Sequence, residues 1–308
     1  MGINIIQFTI GCILLYYSAE FLVKGSKRLA MKFNISPIMI GITIVALGTS
    51  LPELVVSILA NIRQQQDMVI GNVIGSNIAN IGLVLGSTAL ISEIKFSFSK
   101  VRYDFYFFLV ISFLPVIFIF SGGLFLWQGF SFIFILILYV FFLINYDRID
   151  GNHEQSSIFN IKKITLQIIF GIIGLGIGAT FFIKGATDIA IYLGVSDLII
   201  GMSIVALGTS LPELVTSLVS VKQGENEFVL GNVIGSNIMN IVFVLGIALL
   251  FGDMNISFDE IFVHSIFLIL LSLSMFIMIK LKNGINKLSG LLLIFCYVIF
   301  VYFNFYYG

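Results

Sequence analysis

Two polar segments of this chain each occur twice, 160 residues apart. Residues 41–55 read GITIVALGTSLPELV, and residues 201–215 read GMSIVALGTSLPELV. A second segment, GNVIGSNIAN at 71–80, returns as GNVIGSNIMN at 231–240. Aligning 41–90 with 201–250 gives 29 identities in 50 positions. Because apolar packing tolerates many exchanges, the repetition of polar residues, glycine and proline indicates two related halves with a shared chemical role.

The chain has too few charged residues to make a water-soluble surface. Hydrophobic residues make up 59% of the 308 positions and charged residues 10%, whereas soluble domains carry about 25% charged residues. A membrane-spanning helix needs about 20 apolar residues, and the apolar runs predict ten spans. These lie at 3–23, 36–62, 68–92, 105–121, 124–145, 164–183, 196–221, 228–252, 260–279 and 285–305. The first stretch has no basic region before it, so we expect a retained span rather than a signal peptide.

Lysine and arginine are distributed unevenly between the two sides of these spans. Fourteen of the 16 basic residues follow odd-numbered spans, and only Arg63 and Lys184 lie on the other side. The positive-inside rule then predicts extracellular termini and a short cytoplasmic linker at 146–163. Residues 1–145 and 164–308 each hold five spans, and an odd number inverts the second half relative to the first. The expected fold class is an all-α membrane protein of ten transmembrane helices, arranged as two inverted five-helix repeats in the plasma membrane.

Each GTSLPE segment places a proline and a glutamate inside an otherwise apolar span. Pro52 and Pro212 cannot donate a backbone N–H, so they predict an interrupted helix in each half. Such backbone is tolerated at membrane depth only where it is buried in protein or lines a watery cavity. Glu53 and Glu213 follow these prolines, and no lysine or arginine lies inside a span to pair with them. A cation or a proton is the remaining partner for these carboxylates.

The GNVIGSN segments place amides and hydroxyls inside a span. Gly71 and Gly75 have the spacing of a close helix contact, but packing does not explain Ser76, Asn77 and Asn80. Ser76 and Asn80 are four residues apart and share one helix face. Hydroxyl and amide oxygens opposite a carboxylate suit Na⁺ or Ca²⁺, which take oxygen ligands.

Other functional classes have weaker support. Cys12 and Cys296 fall in apolar spans, which indicates neither a disulfide framework nor a thiolate metal site. The formal net charge is zero, so no nucleic acid is indicated, and nothing indicates a cofactor or an obligate protein partner. An intramembrane enzyme would need a base to activate its nucleophile, and no histidine or lysine is placed to do so. A cation channel stays an alternative, because broken helices and oxygen ligands also form filters.

The duplicated GTSLPE and GNVIGSN motifs resemble the cation/Ca²⁺ exchanger superfamily, most closely its prokaryotic sodium/calcium exchanger branch. The likeness covers the whole chain in length, number of spans and inverted halves. It implies an antiporter that exchanges Ca²⁺ for Na⁺ by alternating access, with ions bound at a central site between the repeats. The partners it implies are small inorganic cations and the lipid bilayer. Ca²⁺/H⁺ exchange and K⁺ involvement stay open as alternatives with the same fold.

Carried over by motif position, the resemblance implies a site of twelve residues. The carboxylates are Glu53 and Glu213, the amide positions are Asn80 and Asn240, and the hydroxyl and carbonyl ligands are Ala46, Thr49, Ser50, Ser76, Ala206, Thr209, Ser210 and Ser236. The position of Asn240 is often aspartate in sodium/calcium exchangers. Asparagine there leaves two carboxylates at the site, so the counter-ion and its number stay open.

Overall fold

The computed structural model describes residues 2–95, 97–119, 122–146, 160–195, 206–256, 258–282 and 284–307. These residues are mostly helical. The helices are α1 (Gly2–Phe33), α2 (Pro37–Thr49), α3 (Leu51–Ile62), α4 (Gln66–Ile91), α5 (Phe98–Ile119), α6 (Leu126–Tyr146), α7 (Ile161–Tyr192), α8 (Ala206–Gly208), α9 (Leu211–Lys222), α10 (Asn226–Phe251), α11 (Phe258–Lys282) and α12 (Lys287–Tyr307). Two short strands, β1 (Ile94–Lys95) and β2 (Gly284–Ile285), pair antiparallel.

Seven of the described helices are long and apolar enough to cross a membrane, and the bent pair α2–α3 is an eighth candidate. The seven are α1, α4, α6, α7, α10, α11 and α12. Exposed Phe130, Phe134, Ile137 and Phe141 recur every three or four residues along α6, and an apolar face of this kind marks a lipid contact. Of the other two predicted spans, one corresponds to α5, and the span at 196–221 lies partly outside the described residues. Ten spans therefore stays a prediction.

The predicted first and sixth spans are the apolar parts of longer helices. Helix α1 extends ten residues beyond the predicted end at position 23, because backbone hydrogen bonds do not depend on apolar side chains. Near its basic end, Lys24 pairs with Glu20 within the same helix and Lys27 pairs with Glu225. Long basic side chains can keep their charged heads in water while their stems pack on the helix.

Helices α1 and α7 pack closely and run in opposite directions. A Cβ added at Gly11 would lie 2.4 Å from the backbone nitrogen of Phe182, and one added at Gly185 would lie 2.5 Å from that of Phe8. The contact passes from residue 11 to residue 8 on α1 as it passes from residue 182 to residue 185 on α7, so the two helices are antiparallel. Glycine at these positions allows the two backbones to approach, as in close helix pairs within membranes.

Helices α4 and α10 form the centre of the molecule. They are the most buried of the candidate spans, at 72% and 83% of their apolar windows. Each contains one wide π turn, at Asn80–Leu85 in α4 and at Asn240–Leu245 in α10. Such turns are rare and occur frequently at functional sites. The two turns begin at the two predicted amide positions.

Short backbone pairings join the two halves at their loops. Ile94 pairs with Ile285 in the small sheet, and Leu124 and Met254 exchange backbone hydrogen bonds of 2.8 and 2.7 Å. Gly123 has a φ of +149°, and a Cβ there would lie 2.6 Å from the Met254 carbonyl oxygen. This connection between the predicted spans 105–121 and 124–145 therefore requires glycine both for its backbone angle and for its close approach.

Candidate cation site

Both GTSLPE segments lie at helix breaks. In the first half, α2 and α3 meet at Ser50 with a bend of 45°. Pro52 lies in the first turn of α3, where its missing N–H removes no helical hydrogen bond. In the second half, a turn at Thr209 and Ser210 separates α8 from α9, with Pro212 in the first turn of α9. The helix interruption predicted beside each proline is confirmed.

Glu53 and Glu213 lie in the first turns of α3 and α9 and are fully buried. Both carboxylate oxygens of Glu53 and Oε2 of Glu213 have no hydrogen-bond partner within the described residues, and no ion pair in that part of the chain involves either side chain. The two carboxyl groups are close enough to interact electrostatically. Helix N-termini favour negative charge by only about 1 kcal/mol, which does not offset the burial of two carboxylates. A cation would supply the missing charge.

Side chains from both halves surround the Glu213 carboxyl group. Ser50 Oγ donates to Glu213 Oε1 at 3.4 Å, and the Thr49 and Ser236 hydroxyls also face this carboxyl. Thr49 Oγ1 lies 3.3 Å from Ser236 Oγ and 3.3 Å from Asn232 Oδ1. The structure thus brings three predicted hydroxyls together around one predicted carboxylate, across the boundary between the halves.

Fewer contacts define the surroundings of Glu53. The Thr209 side chain faces its carboxyl group. Ser210 Oγ is buried and has no hydrogen-bond partner among the described residues. Ser76 is buried on α4, but no described contact joins it to either glutamate.

The two predicted backbone ligands are placed differently. The carbonyl oxygen of Ala46 accepts the Ser50 N–H at 3.0 Å and lies 3.3 Å from the Thr49 hydroxyl oxygen. Ala206 begins the short helix α8, directly after residues 196–205, which lie outside the described part of the chain.

Four buried asparagines join α4 to α10, and we call them the amide cluster: Asn77, Asn80, Asn237 and Asn240. Asn240 Nδ2 donates to Asn77 Oδ1 at 3.0 Å, and Asn80 Nδ2 donates to Asn237 Oδ1 at 3.4 Å. Helix α3 packs against the π turn that begins at Asn240, and α9 packs against the one that begins at Asn80. The two predicted amide ligands therefore lie beside the helices that carry the glutamates.

Two further asparagines hold the glutamate-bearing helices in place. Asn72 Nδ2 donates to the Glu53 carbonyl oxygen at 3.0 Å and to Ser57 Oγ at 2.8 Å. Asn232 makes the same two bonds 160 residues later, to the Glu213 carbonyl at 3.2 Å and to the matching serine hydroxyl at 3.0 Å. Neither residue is in the predicted ligand set, although its presence in both GNVIGSN segments is a signal in the sequence.

The donor set of this site consists of two carboxylates with neutral oxygens. Within the described residues, no group of three or more histidine, cysteine, aspartate or glutamate side chains could hold a metal ion. Hydroxyl, amide and carboxylate oxygens are hard ligands of the kind that Na⁺ and Ca²⁺ take. Two negative charges balance one Ca²⁺ or two Na⁺.

The chain combines apolar helices of membrane-spanning length with two helix breaks, and a buried carboxylate lies beside each break. These features together are those of an ion-transporting membrane protein. The chain belongs to the sodium/calcium exchanger protein family, whose model matches residues 3–145 and 163–306. The resemblance inferred from the two motifs is therefore confirmed, and the protein is an integral membrane protein of an antiporter family.

Individual relatives match along almost the whole chain. The chain is 33% identical to the sodium/calcium exchanger MaX1 of Methanosarcina acetivorans, with 99% of each chain covered. It is 38% identical to an uncharacterized membrane protein of Methanocaldococcus jannaschii, with 95% of each covered. A structure of the sodium-calcium exchanger NCX_Mj soaked with Na⁺ and Ca²⁺ aligns with a TM-score of 0.84 and 34% identity, covering 97% of this chain and 98% of that one.

Proposed function

We propose that this protein is a secondary active antiporter that exchanges Ca²⁺ for Na⁺ across the membrane by alternating access. The observation that carries the proposal is the burial of Glu53 and Glu213 without an ion-pair partner in the described part of the chain. Two carboxylates balance either one Ca²⁺ or two Na⁺. The two kinds of ion therefore compete for the same negative charge, as exchange at one site requires.

The proposed ligands combine both halves of the chain. They are the carboxylates of Glu53 and Glu213, the hydroxyls of Thr49, Ser50, Ser76, Thr209, Ser210 and Ser236, the amides of Asn80 and Asn240, and the backbone at Ala46 and Ala206. The contacts around Glu213 support the hydroxyl assignments most directly, because three of these side chains face its carboxyl group. Hard oxygen ligands of this kind favour Na⁺ and Ca²⁺ over softer metals.

The architecture we propose is two inverted repeats, 1–145 and 164–308, joined by the linker 146–163. The packing of α1 on α7 supports it. Gly11 approaches Phe182, and Gly171 approaches Leu22, which is the same contact with the two halves exchanged. Because the two helices run in opposite directions, a repeat that places α7 as the counterpart of α1 must be inverted. Ten spans follow if each half contributes five.

The orientation we propose has extracellular termini and a cytoplasmic linker in the plasma membrane. The distribution of 14 basic residues on one side and two on the other supports it, because cytoplasmic loops carry the excess of lysine and arginine. Glu225 and Glu227, which pair with Lys27 and Lys100, would then lie at the cytoplasmic ends of the helices.

Potassium is a second candidate in the transport cycle. The human sodium/potassium/calcium exchanger 2 is 36% identical over 129 residues, which cover 40% of this chain and 19% of that protein. Asn240 is neutral, so the charge at the site does not identify the counter-ion. Na⁺, K⁺ and H⁺ are therefore tested together.

Counter-ion dependence separates these functions. Purified protein is reconstituted into vesicles loaded in turn with Na⁺, with K⁺ or with an acidic buffer, and ⁴⁵Ca²⁺ uptake is measured. We expect internal Na⁺ to drive uptake and its omission to abolish it. Uptake driven by K⁺ or by the pH gradient without Na⁺ would reassign the counter-ion. Uptake that needs no counter-ion would indicate a channel and overturn the proposal.

A further inference from the structure

The amide cluster contains a chain of hydrogen bonds whose direction is fixed at one end. Asn77 Nδ2 donates to the backbone carbonyl oxygen of Asn237 at 3.3 Å. A carbonyl oxygen only accepts hydrogen bonds, and an asparagine side chain has one NH₂ end and one oxygen end. The oxygen end of Asn77 must therefore point the other way. It points at Asn240, whose Nδ2 meets it at 3.0 Å.

This chain of contacts determines which end of the Asn240 side chain remains available. Since Nδ2 of Asn240 is used by Asn77, its Oδ1 is left over. That oxygen is buried and takes no hydrogen bond from the described residues. A cation is attracted to the oxygen end of an amide and repelled by the NH₂ end, so the rotation of Asn240 decides whether it is a ligand.

We propose that Asn77 is a positioning residue that holds Asn240 with its oxygen, rather than its nitrogen, presented to the transported cation. The inference rests on the proposed function and adds to it a residue outside the predicted ligand set. It also gives the neutral residue at position 240 a defined role. An amide at position 240 can donate an N–H to Asn77 Oδ1 and still present its oxygen to the cation, whereas a carboxylate has no N–H to donate.

The matching hydrogen bond from Asn80 to Asn237 has no backbone anchor like the one that holds Asn77 in the described part of the chain. Asn80 Nδ2 donates to Asn237 Oδ1 at the longer distance of 3.4 Å, and Asn237 Nδ2 has no hydrogen-bond partner within the described residues. In the described part of the chain, no backbone carbonyl accepts a hydrogen bond from Asn237 Nδ2, so the rotation of Asn237 is not fixed as that of Asn77 is. The side chain of Asn77 should therefore matter more for cation binding than that of Asn237. Asn237→Ala is a matched control, because it removes the same group and keeps the carbonyl that anchors Asn77.

The test is a double-mutant cycle in vesicles containing the full chain, with Na⁺ inside and ⁴⁵Ca²⁺ outside. Asn77→Ala is expected to raise the KM for Ca²⁺ about tenfold, as for a lost contact with a charged group, with little change in the maximal rate per folded protein. Asn240→Ala should do the same. The double variant should be no worse than Asn240→Ala, since no amide is left to orient. Asn237→Ala should raise the KM by roughly threefold or less.

Several outcomes would overturn the proposal. They are an unchanged KM in Asn77→Ala, additive effects in the double variant, or an equal effect of Asn237→Ala. If Asn77→Ala does not fold, the KM of Asn77→Ser is compared with those of the other variants instead. Failure of both Asn77 variants to fold would show that Asn77 has a structural role and would overturn the proposal. Binding is also measured without transport, from the Ca²⁺-induced rise in melting temperature in detergent. If the unmodified protein shows this rise but no Na⁺-driven uptake, the proposed exchange function is wrong. The role of Asn77 is then still decided by comparing the Ca²⁺-induced rise in melting temperature among the Asn77, Asn237 and Asn240 variants.

Discussion

Glu53→Gln and Glu213→Gln each remove one negative charge from the candidate site and keep the size of the side chain. We expect either change to lower Na⁺-driven ⁴⁵Ca²⁺ uptake by at least about a hundredfold, because a divalent ion would face one carboxylate instead of two and each charged contact is worth about 1.5–3 kcal/mol or more. Glu93→Gln is the control, since Glu93 is half exposed beside Lys95 and its loss should leave uptake normal. Near-normal uptake in either buried variant would show that the transported ion binds elsewhere.

Asn72→Ala and Asn232→Ala test the residues that hold the glutamate-bearing helices. Each change removes the two hydrogen bonds that the Nδ2 atom donates, which are partly buried at Asn72 and buried at Asn232, and leaves the Glu53 or Glu213 carbonyl oxygen without its side-chain donor. We expect each to lower the free energy of unfolding by about 1–3 kcal/mol, measured by denaturation in detergent. Asn145→Ala removes an exposed bond to the Phe141 carbonyl and should have almost no effect. Equal stability of all three variants would contradict the structural role of Asn72 and Asn232.

Single residues of this site differ in how far the sequence predicts them. The glutamates could be singled out, because a carboxylate inside an apolar span with no basic residue near it requires a cation or a proton as its partner. The role of Asn77 could not, because it depends on which atom of Asn237 lies opposite on another helix. The surroundings of the Ala46 carbonyl oxygen show the same limit, because the sequence does not predict that the Thr49 hydroxyl lies 3.3 Å from it.

At the scale of elements, the contact of α1 with α7 depends on glycines at particular positions. A Cβ added at Gly171 would lie 2.8 Å from the Leu22 backbone nitrogen, whereas nothing lies within 4 Å of one added at Gly176 on the same helix. Gly171→Ala should therefore force the helices apart and cost about 1–3 kcal/mol of stability. Gly176→Ala should be neutral or stabilising by up to about 1 kcal/mol, because alanine is the better helix former. The check is the melting temperature of the two variants, and a fall of the same size in both would contradict this packing.

Helix breaks and helix ends were predictable to different degrees. Proline fixes a break locally, because it lacks an N–H and its ring excludes the preceding turn, so the interruptions beside Pro52 and Pro212 follow from sequence. The end of α1 does not, since the apolar run stops at Lys24 while the helix continues to Phe33. The π turns at 80–85 and 240–245 also have no local signature.

At the scale of the whole molecule, two contacts recur in both halves of the chain with their partners exchanged, as the proposed inverted repeat requires. The α1–α7 contact and the paired bonds of Asn72 and Asn232 both repeat with a shift of 160 residues. The sequence predicts the relation between the halves through the offset of its motifs and the odd number of spans in each. It does not predict which side chains meet across the boundary, because those contacts join residues more than 150 positions apart.

The orientation in the membrane is tested with a cysteine at Ser156, in the linker that lies outside the described residues. In a Cys12→Ala, Cys296→Ala background, the Ser156→Cys variant should resist an impermeant thiol reagent in intact cells and react after the membrane is opened. We expect this because the excess of basic residues lies on the same side as this linker, and cytoplasmic loops carry such an excess. Gln65→Cys, in the exposed loop between α3 and α4, should react in intact cells and shows that the reagent reaches the outside. Labelling of the Ser156 variant from outside, with protection of the Gln65 variant, would reverse the proposed orientation of the whole protein without contradicting the proposed inverted repeat.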